Sequence, residues 1–118
     1  MDENIKDSLS LALDTFDDAK FLAQNERYRG AINRCYYAYF YMAKGILVSK
    51  GIVVKTHSGL NSEFNRAVIK TQIIPQNFGK YLNFLFTQRQ TADYEPEEEI
   101  EKEEIDKALL MVEEFINF

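Results

Sequence analysis

The segment YRGAINRCYYAYFYMAKGILVSK (residues 28–50) decides the fold. At ~100° per residue it resolves into three faces of a helix. Ile32, Tyr36, Tyr39, Phe40, Ala43 and Leu47 form one face. Ala31, Cys35, Ala38, Met42 and Ile46 form a second beside it. Arg34, Tyr37, Tyr41, Lys44 and Val48 form the third. A helix apolar over two adjacent faces needs several neighbours, so this one is predicted to be central, with Gly51 as its stop.

The neighbours lie on both sides. Upstream, Ile5, Leu9, Ala12, Phe16, Ala19 and Ala23 recur at helical spacing, and the polar stretch 24–29 is predicted to turn the chain. Downstream, residues 52–55 are β-branched and suit an extended segment. Thr56 is a plausible N-cap for a third helix from His57 to about Lys70. Pro75 suits the first turn of a fourth helix, whose stripe Phe78, Leu82, Leu85 runs to Arg89. Glu95–Ile100 is expected as a solvated acidic loop. A last helix, from about Glu101 to Phe118, turns Ile105, Ala108, Leu109, Val112, Phe115 and Ile116 inward. The expectation is an all-α, up-and-down bundle of about five helices in a single domain, 1–118.

Composition agrees. With 5 Gly and 2 Pro in 118 residues, few sharp turns are encoded, and 46% hydrophobic content is ample for one core. The net charge of −5 argues against a general polyanion-coating role. Much of that charge sits in Glu95, Glu97, Glu98, Glu99, Glu101, Glu103 and Glu104, which leaves room for a local basic site. Cys35 is the only cysteine and His57 the only histidine, so neither a disulfide nor a metal site is expected. No leader or membrane-spanning run is recognised, and the expected compartment is the cytoplasm.

Arg89 stands out chemically. An arginine that ends an apolar stripe needs a partner, and Asp93 lies four residues on. Tyr94 adds a phenol. A guanidinium fork in this position suits a phosphate or another anionic group. His57 is the one ordinary acid/base candidate at neutral pH. Tyr37 shares its face with Arg34, a mixture that suits base stacking or a protein interface. The candidate binding residues are Arg89, Asp93, Tyr94, His57, Arg34 and Tyr37. There is no P-loop, nucleotide-binding glycine fingerprint or nucleophile triad, and no cofactor is expected.

Three segments in order, Ala31-Ile32-Asn33-Arg34-Cys35-Tyr36-Tyr37-Ala38, Lys55-Thr56-His57-Ser58-Gly59 and Arg89-Gln90-Thr91-Ala92-Asp93-Tyr94, resemble the HEPN domain (higher eukaryote and prokaryote nucleotide-binding). The likeness is to the small prokaryotic branch with an Arg-x-x-Ala-Asp-Tyr segment. It implies a dimer with the late-helix arginines of two subunits facing across a groove. In ribonuclease members of the family, a histidine follows the arginine by four to six residues. The pair is thought to promote attack of the RNA 2′-hydroxyl on the adjacent phosphate without a metal. Arg89 matches the arginine, but no histidine follows it in this chain.

The expected function is therefore a non-catalytic module that binds nucleotide, RNA or protein as a homodimer. The resemblance also implies a toxin–antitoxin-like pairing with a nucleotidyltransferase, in which Tyr94 lies near a position that such partners adenylylate. The alternative is a metal-independent ribonuclease toxin with a degenerate active site, His57 supplying the missing group from another helix.

Overall fold

The computed structural model describes residues 3–118. Five helices follow one another: α1 (Glu3–Gln24), α2 (Tyr28–Ser49), α3 (His57–Phe64), α4 (Gln76–Tyr94) and α5 (Lys102–Asn117). No strand occurs among the described residues. The fold is an all-α bundle with α2 at its centre, packed against each of the other four helices.

The two apolar faces of α2 explain that position. Ala31, Ile32, Cys35, Tyr36, Ala38, Tyr39, Ala43 and Leu47 are all buried. Small residues let α1 come close: a Cβ on Gly45 would stand 3.3 Å from that of Ser8. Tyr39 ties the bundle together. Its ring stacks on Phe115 of α5 at 4.3 Å, and its buried hydroxyl donates to the Phe78 carbonyl of α4 at 2.7 Å. Burial of such an aromatic contributes most of its packing value, and the hydroxyl needs a partner to be tolerated there. The outward face of α2, with Arg34, Tyr37, Tyr41 and Lys44, is half-buried.

Residues 52–55 form no strand. Two features differ from the sequence expectation. Pro75 lies one place before α4, as its N-cap, with ψ of 147°. The third helix does reach the neighbourhood of Lys70, but its last turn, Asn65–Ile69, widens into a π-helix closed by the Lys70 N–H to Asn65 carbonyl bond of 2.8 Å. It terminates at Gln72 in the left-handed region, φ 61°. Thr56 caps α3 as expected, its Oγ1 accepting from the Gly59 N–H at 2.9 Å. No helix among the described residues is long and apolar enough to cross a membrane.

Candidate functional site

The last turn of α4 is held from outside the helix. Arg29 belongs to the first turn of α2, which starts at Tyr28 as the sequence predicts. Its guanidinium donates to the carbonyls of Ala92 (2.7 Å), Glu95 (3.3 Å), Pro96 (2.9 Å) and Glu98. Carbonyls at a helix C-terminus lack intrahelical donors, and a cation there also favours the helix dipole. One side chain thus fixes both the end of α4 and the start of the acidic loop.

Within that turn, Arg89 is only 11% exposed along its side chain and Asp93 27%. Arg89 Nε lies 3.0 Å from Asp93 Oδ2. Its N–H is not aligned with that oxygen, so the contact is an ion pair rather than a directed hydrogen bond. Asp93 also accepts from Asn33 Nδ2 of α2, at 3.2 and 3.4 Å. Asn33 Oδ1 in turn accepts from Arg34 Nε (3.0 Å) and Nη2 (2.7 Å). The result is a continuous polar network, Arg34–Asn33–Asp93–Arg89, that crosses from α2 to α4.

Tyrosine rings surround the Arg89 guanidinium. Its Cζ lies 5.7 Å from the Tyr36 ring centroid, 5.5 Å from that of Tyr37 and 5.9 Å from that of Tyr94. Contacts of this kind stabilise a partly desolvated cation without consuming its N–H donors. The Nη groups of Arg89 have no hydrogen-bond partner among the described residues. Tyr94 is largely exposed, at 67%, so the cage opens on its side.

His57 joins the same cluster from the first turn of α3. Its Nδ1 lies 2.8 Å from the Tyr36 hydroxyl, and its ring packs on Tyr36, Tyr37, Phe40 and Phe86. Burial, together with the charge of Arg89, lowers the histidine pKa and favours the neutral ring. Burial pushes the Tyr36 phenol well above its ordinary value, so it keeps its proton. The two groups share a hydrogen bond whose donor is set by the histidine tautomer. The site therefore offers guanidinium N–H groups with no competing hydrogen bond, in an aromatic setting. That is equipment for holding an anion.

All six residues singled out from sequence meet here: Arg89, Asp93, Tyr94, His57, Arg34 and Tyr37. Arg34 Cζ is 5.2 Å from the Tyr37 ring. Sequence reading missed Asn33 and assigned Tyr36 to the core alone. Tyr36 is fully buried, yet its hydroxyl serves the site. The signal was available: Asn33, Tyr36, Tyr37 and Phe40 fall at i, i+3, i+4 and i+7 on one side of α2. A surface cavity of about 670 Å³ lies elsewhere, among Ile69, Ile73, Ile74, Pro75 and Phe118, and Lys70 is the one charged side chain lining it. No group of acidic, histidine or cysteine side chains suited to a metal occurs among the described residues.

A helical bundle with an arginine-centred polar site at the end of its fourth helix defines a class, and the sequence comparisons identify it. The chain belongs to the HEPN domain family, whose pattern it matches over residues 5–118. It is 39% identical to the "UPF0332 protein" of Thermotoga maritima over 106 residues, which covers 90% of this chain and 80% of that protein. It is 38% identical to "Putative toxin MJ0142" of Methanocaldococcus jannaschii, covering 81% of this chain and 65% of the relative. A second protein of that organism, "Putative toxin MJ0605", is 31% identical over 86% of this chain and 75% of its own length.

Proposed function

We propose that this HEPN domain is a binding module that holds a phosphate of nucleotide or RNA at Arg89, acts as a homodimer and has no catalytic step of its own. The observation that carries this reading is the guanidinium of Arg89. It is paired with Asp93, ringed by Tyr36, Tyr37 and Tyr94, and still has unpartnered Nη donors. The segment Arg89-x-x-Ala92-Asp93-Tyr94 supports assignment to the branch of the family that carries it. The toxin names of two relatives support a toxin setting; the nucleotidyltransferase partner rests on the family resemblance alone.

A second reading, metal-independent ribonuclease, draws support from one contact. His57 shares Tyr36 and Tyr37 with Arg89, so the family's arginine–histidine pair is approximated by residues from different helices. The contact with Tyr36 weighs against it, because it occupies one ring nitrogen of the candidate general base.

Incubating the protein with labelled RNA, with and without EDTA and beside Arg89→Ala, decides between them. The expected result is intact RNA and salt-sensitive binding that Arg89→Ala abolishes. EDTA-resistant cleavage lost in the same variant would replace the binding reading with the nuclease one. Sedimentation at micromolar concentration tests the homodimer.

A further inference from the structure

Two guanidiniums stand over one ring. Arg34 Cζ is 5.2 Å and Arg89 Cζ 5.5 Å from the centroid of Tyr37. They come from different helices, and like charges so close repel each other unless something fixes them. Asn33 and Asp93 do so. Asn33 Oδ1 occupies Nε and Nη2 of Arg34, and Asp93 neutralises one of the two charges from the far side of the network. Nη1 of Arg34 is left without a partner among the described residues, as are the Nη groups of Arg89. Two fixed cations therefore keep free donors beside the same aromatic ring.

We propose that Arg34 forms a second phosphate subsite next to Arg89, so that the site grips a single-stranded oligonucleotide by two consecutive phosphates. This rests on Arg89 being an anion-binding residue. A rigid fork held on one edge and free on the other is the form in which arginine recognises phosphate. Two cations that share one ring are near enough to serve neighbouring phosphates of one strand. The tract beginning at Glu95 follows directly on Tyr94 and repels a longer run of phosphates, so the grip is short.

The test uses a dinucleotide with and without a 5′-phosphate, pNpN against NpN, titrated into wild type and Arg34→Gln. Wild type is expected to prefer pNpN by about tenfold, with a salt slope near −1.4 for two single-strand contacts. In Arg34→Gln the preference falls to within twofold and the slope drops by about 0.7. Asn33→Ala keeps both charges but frees Arg34, and is expected to give an intermediate preference. A tenfold preference that survives Arg34→Gln overturns the proposal. So does an equal loss for both ligands, or an Arg34-dependent gain for ADP over AMP with none for the dinucleotide. If NpN binds Arg89→Ala as it binds wild type, the underlying phosphate site itself is refuted.

Discussion

Asp93 occupies a place that disfavours carboxylates, the last turn of a helix, against the negative end of its dipole. It is retained there with two partners, Arg89 and Asn33. The same carboxylate competes with any incoming anion for Arg89. Replacing it with asparagine should therefore tighten phosphate binding by roughly fivefold, about 1 kcal/mol for a charge at that distance in a water-like medium. Isothermal titration checks the sign, and weaker binding would give Asp93 a direct role in holding the ligand. His57 makes a second prediction. An unfolded histidine titrates near ~6.5, and the folded value is lower. Between the two, the unfolded chain binds more protons, so stability falls as pH drops from about 6.5 through the folded value. Thermal melts should show this decline in wild type and a smaller one in His57→Gln. The Arg89–Asp93 pair was legible in the sequence because both residues lie on one helix. The Asn33–Asp93 and Tyr36–His57 contacts were not, because they depend on how helices cross, which no spacing within a single helix encodes.

At the scale of elements, the clearest device is Arg29. Its donors meet carbonyls that water would otherwise solvate, so its worth is modest but local. Arg29→Ala should cost about 1–2 kcal/mol and raise amide exchange selectively across the end of α4 and the loop that follows. Arg29→Lys should recover only part, since a point charge cannot reach several carbonyls as a planar fork does. Uniform exchange changes would argue against a clamp. Sequence reading gave the helices within a few residues, because long apolar stripes outweigh local detail. It missed the π turn at Asn65–Ile69, where packing rather than composition determines how the helix ends. Gln72 tests that region: φ of 61° suits glycine, so Gln72→Gly should be neutral or stabilising by up to about 1 kcal/mol.

At the scale of the whole molecule, α2 touches every other helix, and one core cluster runs from Phe16 to Phe115. Such a chain should unfold in a single transition. Ile32→Ala, at a fully buried position on α2, should lower stability by about 2–5 kcal/mol while circular dichroism and tyrosine fluorescence still move together. Separate midpoints would mean that part of the bundle folds alone. The central helix also carries the only thiol in the chain, Cys35, fully buried and with its pKa pushed up to about 12 by that burial. A thiolate must form before an alkylating reagent can react, and here that requires opening of the bundle. The chain thus contains its own clock: the rate at which iodoacetamide labels Cys35 counts openings of the core, and its slowing by a bound oligonucleotide measures how far the ligand stabilises the fold, with no label added.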